Sequence, residues 1–412
     1  MIVFLLLISV MALLQHPFWS RYVGGMTAIK YVGVCCVVYA LLHVASRRRI
    51  PRYLDTWQSR GIVLLCVIAC LSSLMTGAAF SWEANAAISY ASFAILFLIT
   101  RSVVDSLRRV RYVLLAMVGS IGWASLYVLR EWQKYHNLYA DFRPGWVVGD
   151  ANYFSVSALI SIPIAFCLLV EKHPLWVRVF CLSCLMLSLA AVTVSASRGG
   201  FLGLVSVFMF LVAHSRGRRC SLALAGILML PLSFLMPVSS VARLLHPKIG
   251  DIAAENLRKD AWRAGFRMIE LHPLVGVGLD NFKSRVNDYA EDSRRVDHIA
   301  HNAYIEIAAE MGLPALTVFL LILWMSYRSL DKVRRRTHSG QLLNQGALSL
   351  QASLVGCAVA ICFVSGQYTK FLWLLVSLSA CFPAILKSGC VAPKEQSGTA
   401  SCASNVEVVR RS

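Results

Sequence analysis

Long apolar runs recur along the whole chain, separated by short polar segments. A helix that spans a membrane needs about 20 mostly apolar residues. We predict twelve such spans, of which the first and the eighth are short. They lie approximately at 2–15, 28–45, 61–79, 84–100, 112–129, 151–170, 177–195, 200–213, 221–238, 303–327, 346–366 and 371–386. This pattern predicts an all-α fold, a polytopic membrane helix bundle with no separate soluble domain.

One long polar stretch, residues 239–302, interrupts this pattern. It carries ten Lys and Arg residues and no cysteine, and we expect it to contain short helices. The rest of residues 1–386 is predicted to form one membrane domain around this loop. Residues 387–412 are rich in Ser, Ala, Gly and Val, and are predicted to be a disordered cytoplasmic tail.

The net charge of +19 gives the orientation of the chain. Basic residues stay on the cytoplasmic side in short loops, and most of them fall in the loops after even-numbered spans. Both termini are therefore predicted to be cytoplasmic and the 239–302 loop to lie outside. A nucleic-acid partner would need a basic face on a soluble module, so none is predicted. The first apolar run lacks the basic start of a signal peptide and is predicted to be retained.

Arg198 stands between two apolar runs, in the segment Ser-Ala-Ser-Arg-Gly-Gly that ends at Gly200. A guanidinium near membrane depth normally faces a cavity or an anionic partner. Two interpretations stay open on this evidence alone. Arg198 either belongs to an anion site at the outer mouth of the bundle or extends along a helix end to reach the interface.

The segment 256–271 has the 3.6-residue period of an amphipathic helix, and Arg258 falls in the middle of its apolar face. A charge in that position needs an anionic partner, either a bound ligand or a lipid phosphate reached along Trp262. Lys259, Arg263 and Arg267 gather on the opposite side and resemble an ordinary solvated stripe. The glycines at 276 and 278 follow a helix rather than a strand, so they predict a tight turn and not a dinucleotide site.

His298 and His301 lie three residues apart at the start of the tenth span, which the Gly-Leu-Pro segment at 312–314 is expected to kink. Two histidines could bind zinc only with a further ligand. Asp297 and Glu306 are candidates, but the spacing matches no known zinc motif. A histidine at a helix N-terminus is biased toward its neutral form, which a general base requires. His301 is therefore the better candidate for chemistry, and His298 is interpreted as a solvated residue.

Several segments together resemble the bacterial O-antigen ligase and polymerase superfamily. They are Ser197-Arg198-Gly199; Arg258-x-x-x-Trp262, followed by Ile269-x-x-His-Pro-Leu-Val-Gly-Val-Gly-Leu-Asp-Asn-Phe282; Ala300-His-Asn-Ala-Tyr-Ile-Glu-Ile-Ala-Ala-Glu-Met-Gly312; and Gly149-Asp-Ala-Asn152-Tyr-Phe, where many relatives have Asp-Pro-Asn. The order of the segments and the long loop after the ninth span also match. Each motif is loose alone, and the set is specific to the superfamily rather than to one member.

The resemblance implies a glycosyltransferase of the bacterial inner membrane with its active site toward the periplasm. Such enzymes move a glycan from an undecaprenyl diphosphate carrier to an acceptor, without a metal or another cofactor. The acceptor is lipid A–core in ligases, another repeat unit in polymerases and a protein hydroxyl in other relatives. The partners implied are this donor, a glycan acceptor and membrane lipids.

The resemblance also assigns roles to residues. Arg198 and Arg258 would grip the diphosphate and stabilise the leaving group, and His301 would deprotonate or orient the acceptor hydroxyl. Other residues are weaker candidates for binding the diphosphate or the glycan. They are Arg263, Arg267, Asn302, Tyr304 and Asn152.

Within the superfamily, the compact length and the single large loop favour a ligase over a polymerase. Relatives that glycosylate proteins often carry an additional soluble C-terminal domain, which is not found here. A transporter or flippase is the alternative from another class. That alternative predicts ionisable residues near the membrane midplane and inverted repeats; few such residues and no repeats are seen in the sequence.

Overall fold

The computed structural model of the chain is helical almost throughout. It describes residues 1–11, 22–23, 26–27, 31, 33–39, 42, 54–75, 86–138, 142–145, 150–171, 173–214, 249–290, 299–338 and 342–390. Within these ranges, Tyr22–Val23 pairs with Met26–Thr27 in a short antiparallel hairpin. The predicted all-α polytopic class is confirmed, and the protein is a multi-pass membrane protein.

Eight of the described helices are long and apolar enough to cross a membrane. The helices are α1 (Ile2–Met11), α2 (Trp57–Met75), α3 (Ala86–Val103), α4 (Leu107–Tyr135), α5 (Ala151–Val170), α6 (Leu175–Ser195), α7 (Arg198–His214), α8 (Ile249–Leu271), α9 (Phe282–Arg285), α10 (Ala303–Arg336), α11 (Leu342–Ala360) and α12 (Lys370–Cys390). The eight long apolar helices are α2 to α6 and α10 to α12.

The predicted number of twelve spans is not confirmed. The first predicted run contains α1, a helix of 10 residues, and the eighth corresponds to α7, an apolar helix of 17 residues. The predicted span at 221–238 lies outside the described residues, as does much of the span at 28–45. Helix α12 continues to Cys390, past the predicted start of the tail at 387, and the remainder of that tail is outside the described residues.

Helix α5 lies at the centre of the bundle. It packs along α6, α11 and α7, while α4 packs along α6, and α10 contacts α2, α11 and α12. Small residues allow the closest approach: a Cβ at Gly203 of α7 would lie 2.9 Å from the carbonyl oxygen of Gly356 in α11. Glycine contacts of this kind are typical of helices that pack in membranes. The central position of α5 brings its N-terminus beside α7 and α11.

Helix α8 forms a second, smaller core outside the main bundle. Ala261, Ala264 and Met268 are buried against residues of α9 and α10, including Phe282 and Ile305. The predicted helix over 256–271 is confirmed and begins seven residues earlier, at Ile249.

The apolar face of α8 is narrower than the sequence predicts. Leu257 and Phe266, which the period places on that face, are 40% and 54% exposed. Among the described residues, α8 buries its apolar side chains against α10 and the segment that follows α8. Arg258 therefore lies at the edge of the buried face and not at its centre.

Helix α10 breaks at Gly312, which has φ 82° and ψ 171°. The turn that follows α8 pairs with this break through main-chain hydrogen bonds. Val277 N donates to Ala309 O at 2.8 Å, Gly278 N to Glu310 O at 3.0 Å, and Leu313 N to Pro273 O at 2.8 Å. The predicted kink and the predicted tight turn are both confirmed, and each supplies hydrogen-bond partners to the other.

Candidate active site

The junction between α6 and α7 positions Arg198. Ala196 adopts a left-handed conformation with φ 48° and ends α6. Ser197 Oγ accepts a hydrogen bond from Gly200 N at 3.1 Å and donates one to Asn152 Oδ1 at 2.8 Å. A Cβ at Gly200 would lie 2.6 Å from Ser155 Cβ of α5. The Ser-Arg-Gly-Gly motif thus seats the first turn of α7 tightly on α5, with Arg198 at its start.

Asn152 receives a second hydrogen bond from a residue that the sequence does not single out. Arg143 Nη2 donates to Asn152 Oδ1 at 3.2 Å, and Arg143 Nε donates to Ser195 O at 3.1 Å. Asp150 caps α5 by accepting from Asn152 N at 2.7 Å. Asn152 therefore links Arg143 to the turn that carries Arg198, and a further cation stands beside the predicted site.

The side chain of Arg198 contacts α8 through an ion pair. Its Nη1 lies 2.9 Å from Glu255 Oε2, while Lys259 Nζ lies 3.1 Å from Glu255 Oε1. Hydrogen bonds from Lys259 and then Arg198 lower the pKa of Glu255 below its ordinary value. Glu255 is thus ionised at neutral pH, and it occupies one side of a guanidinium that is only 25% exposed.

Arg258 lies one helical turn beyond Glu255 and is half-buried. Its Nε is buried and has no hydrogen-bond partner among the described residues. Burial lowers the pKa of Arg258, and the positive charge of Arg198 adds to this effect, while Asp150 and Glu255 oppose it. An arginine nevertheless stays charged in proteins. Two neighbouring guanidinium groups, one with an unsatisfied donor, favour an anionic ligand.

Trp262 joins α8 to the loop that carries His301. Its indole Nε1 donates to Ala300 O at 2.7 Å. His301 has a left-handed backbone with φ 49°, which is unusual for a residue other than glycine. On the following side, Ala303 N donates to Ile361 O at 2.9 Å. His301 therefore lies in a short loop that is fixed at both ends, one of them through the helix of Arg258.

Asn302 and Tyr304 have structural partners within α10 and α11. Asn302 Oδ1 caps α10 by accepting from Tyr304 N at 3.0 Å and Ile305 N at 3.2 Å. The hydroxyl of Tyr304 donates to Ala358 O at 2.8 Å. These contacts hold the loop and the first turn of α10 in place. A direct contact of either residue with substrate stays a prediction.

Arg263 and Arg267, the weaker basic candidates of α8, have other partners than Arg198 and Arg258. Arg263 is 63% exposed and pairs with Asp260 at 3.2 Å. Arg267 Nη1 donates to Tyr289 O at 3.2 Å. Lys259 and Arg263 are exposed as the predicted solvated stripe requires, whereas Arg267 is half-buried against Tyr289. His298 and Asp297 lie outside the described residues.

Glu306 is a buried residue whose role the sequence does not reveal. Its carboxylate accepts from Ser365 Oγ and, at 2.8 Å, from Gln367 Nε2. Both of its oxygen atoms therefore accept hydrogen bonds from the turn after α11. The partners Ser365 and Gln367 lie about sixty positions away in the sequence. The structure is therefore needed to see that Glu306 is a buried hydrogen-bond acceptor.

The candidate residues are connected by a closed series of contacts. From Arg258 and Trp262 of α8 the series runs through the hydrogen bond to Ala300, then along the chain past His301 to Glu306, whose carboxylate accepts from Ser365 Oγ. It continues from Ser365 O to the hydroxyl of Tyr153 at 2.9 Å. From α5, Asn152 leads through Ser197 to Arg198, whose ion pair returns to Glu255 of α8. The elements that carry Arg198, Arg258 and His301 are therefore linked to one another by contacts; that the three side chains share one site stays a prediction.

Comparison with known proteins gives an independent result for the same part of the chain. A model of the O-antigen ligase family matches residues 183–320, about a third of the chain. The matched region contains Arg198, Arg258 and His301. No curated protein gives a significant match. The family match supports an enzyme of the O-antigen ligase or polymerase type, and it confirms the resemblance of this chain to the O-antigen ligase and polymerase superfamily.

Proposed function

We propose that this protein transfers a glycan from an undecaprenyl diphosphate carrier to an acceptor hydroxyl at the periplasmic face of the bacterial inner membrane. The acceptor favoured is lipid A–core, which makes the reaction an O-antigen ligation. The observation that carries the proposal is the closed series of contacts around Arg198, Arg258 and His301. A diphosphate leaving group and an acceptor hydroxyl require two guanidinium groups and an imidazole, and the linked elements carry these groups.

In the proposed reaction, Arg198 and Arg258 bind the diphosphate of the donor. A guanidinium presents parallel N–H groups that match phosphate oxygens. His301 accepts the proton of the acceptor hydroxyl, whose oxygen attacks the anomeric carbon. The bond from that carbon to the diphosphate breaks with inversion, and the arginines stabilise the negative charge on the departing oxygen. No step of this scheme calls for a metal ion.

The test uses purified protein with a lipid-linked glycan, lipid A–core and a chelator of divalent metals. His301→Ala is expected to lower transfer by about 100-fold or more, the usual contribution of a general base. Arg258→Ala is expected to cost about 100-fold or more, as for loss of one oxyanion donor. Arg258→Lys keeps the charge and loses the fork of N–H groups, so it is expected to recover little activity.

Arg285→Ala serves as the matched control, because Arg285 is exposed in the same region and pairs only weakly with Asp288 at 3.6 Å. Its transfer rate should equal that of the wild type. Normal transfer by both His301→Ala and Arg258→Ala would overturn the site. Product size separates the alternatives: a longer lipid-linked glycan without modified lipid A–core would identify a polymerase.

A further inference from the structure

Arg143 is half-buried and lies in the segment between α4 and α5. This segment is held against both helices. The ring of Phe142 lies 5.3 Å from that of Tyr135 in the last turn of α4. On the other side, a Cβ at Gly145 would lie 2.3 Å from Ala151 N at the start of α5. The guanidinium of Arg143 therefore extends from a backbone that is packed between two helices.

Two hydrogen bonds from Arg143 join the end of α6 to the start of α5. Nε donates to Ser195 O at 3.1 Å, and Nη2 donates to Asn152 Oδ1 at 3.2 Å. These two nitrogens share one edge of the flat guanidinium, whose N–H groups form a rigid fork. Ser195 is the last residue of α6, where carbonyl groups lack partners within the helix and a cation is favoured.

Asn152 connects this fork to the turn that carries Arg198. Asn152 Oδ1 also accepts from Ser197 Oγ at 2.8 Å, and Ser197 Oγ in turn accepts from Gly200 N at 3.1 Å. A carbonyl oxygen has two lone pairs, so Arg143 and Ser197 account for both. Arg143 thus contacts the residue before the left-handed turn at Ala196 and supports the residue after it.

We infer that Arg143 is a positioning residue for Arg198: its two hydrogen bonds fix the turn from which the guanidinium of Arg198 reaches the diphosphate. This inference rests on the proposed function. Contact with the diphosphate is assigned to Arg198, and Arg143 acts through Ser195 and Asn152. An arginine that bound the substrate itself would act independently of Arg198, and this difference can be measured.

The experiment introduces Arg143→Ala into the full-length wild type and into Arg198→Ala, and measures transfer from a lipid-linked glycan. In the wild type we expect a loss of about 10-fold or more, because misplacement of a binding group is costly. In Arg198→Ala the further loss should stay within about twofold, since the group to be positioned is absent. Residues that act through one another give such non-additive effects, whereas independent residues give additive ones.

Arg101→Ala is the matched control. Arg101 is 14% exposed and also donates to a helix carbonyl, Ala380 O at 2.8 Å, but it joins α3 to α12. Whatever its size, the loss of transfer should be the same in the wild type and in Arg198→Ala.

Arg143→Lys tests charge against geometry. Lysine keeps the positive charge and lacks the fork, so it is expected to recover little of the transfer rate. If Arg143→Ala does not fold, Arg143→Lys takes its place in the comparison of the two backgrounds.

Hydrogen exchange supplies a readout that does not depend on activity. Loss of Arg143 leaves Asn152 and Ser197 less well held, so the hydrogen bond from Gly200 N to Ser197 Oγ should open more often. The amide of Gly200 is therefore expected to exchange faster in Arg143→Ala and at the wild-type rate in Arg101→Ala.

An equal fold loss in the two backgrounds, or wild-type transfer by Arg143→Ala, would overturn the inference. Full activity of Arg143→Lys would also overturn it, by assigning the effect to charge alone, and so would unchanged exchange at Gly200. The proposed function fails separately: if Arg198→Ala transfers at the wild-type rate, the role of Arg198 is wrong, while exchange at Gly200 still reports whether Arg143 holds the turn.

Discussion

The indole Nε1 of Trp262 donates a 2.7 Å hydrogen bond to the carbonyl oxygen of Ala300. Trp262 lies one turn after Arg258 on α8, and Ala300 immediately precedes His301. A single hydrogen bond thus couples the helix of the anion-binding candidate to the loop of the candidate base. Trp262 and Ala300 are thirty-eight positions apart in the sequence. This hydrogen bond therefore helps to fix α8 relative to the loop of His301.

Trp262→Phe removes this hydrogen bond and keeps an aromatic ring. The buried carbonyl of Ala300 then loses its indole donor, which should cost about 1 kcal/mol of the free energy of unfolding. Transfer is expected to fall several-fold, because the loop of His301 is less well fixed to α8. Initial rates and thermal unfolding in detergent measure both effects. Trp324→Phe, on a tryptophan that is 54% exposed, is the control; equal behaviour of the two variants would contradict this expectation.

Glu255→Gln is expected to lower KM for the lipid-linked donor. The carboxylate of Glu255 occupies Arg198 in the free protein and repels a diphosphate. An exposed ion pair is weak, so the change should be at most about fivefold. Asp288→Asn removes another exposed carboxylate, at a distance from Arg198 in sequence, and should leave KM unchanged. A raised KM in Glu255→Gln would show that this carboxylate assists binding.

The same substitution carries an expectation for pH. Because the pKa of Glu255 lies below its ordinary value of 4.5, its ion pairs contribute stability above that value and lose it as the pH falls through the lowered pKa. The difference in donor KM between Glu255→Gln and the wild type should therefore be constant from about pH 6 to 8. A difference that disappears within this range would assign the effect to another titrating group.

Gly200→Ala is expected to displace the first turn of α7 from α5. The added methyl group would lie 2.6 Å from Ser155 Cβ, so one of the two helices must shift and Arg198 moves with it. We expect the transfer rate to fall about 10-fold or more. Ala196→Gly changes the same junction but suits its left-handed backbone, and should keep wild-type activity. Equal transfer rates in the two variants would mean that the rate does not depend on how closely the first turn of α7 packs on α5.

Gly312→Ala tests the junction between α10 and the turn after α8. Gly312 has φ 82°, and a Cβ there would lie 2.3 Å from Leu274 O. The strained backbone alone should cost about 1–3 kcal/mol, seen as a lower unfolding temperature. Gly33→Ala is the control, because nothing lies within 4 Å of a Cβ at that position. Equal unfolding temperatures in the two variants would mean that the junction relaxes without cost.

Features with a local cause could be predicted from the sequence. The length of an apolar run predicts a spanning helix, and most long runs are seen as such. The period of 256–271 and the Gly-Leu-Pro segment predict a helix and a kink for similarly local reasons. The number of spans could not be fixed, because runs such as 200–213 are shorter than the membrane thickness requires.

The site was only partly predictable, because long-range contacts complete it. Glu306 resembles an ordinary acidic residue in the first turn of a helix, and its partners Ser365 and Gln367 carry no motif. Arg143 appears in the sequence as one more basic loop residue. The position of Arg258 at the edge of a face depends on where α10 and the segment after α8 pack on this helix, which its period does not reveal.

The pairing between the broken helix α10 and the turn after α8 has a consequence for how the chain can evolve. Main-chain amides and carbonyls make this junction, so its strength does not depend on most of the side chains around it. Substitutions at exposed positions such as Leu274 can accumulate there. The junction would tolerate these substitutions as long as glycine is kept at 276 and 312. A side chain at Gly276 would collide with the backbone of α10, and one at Gly312 with the backbone of the turn after α8.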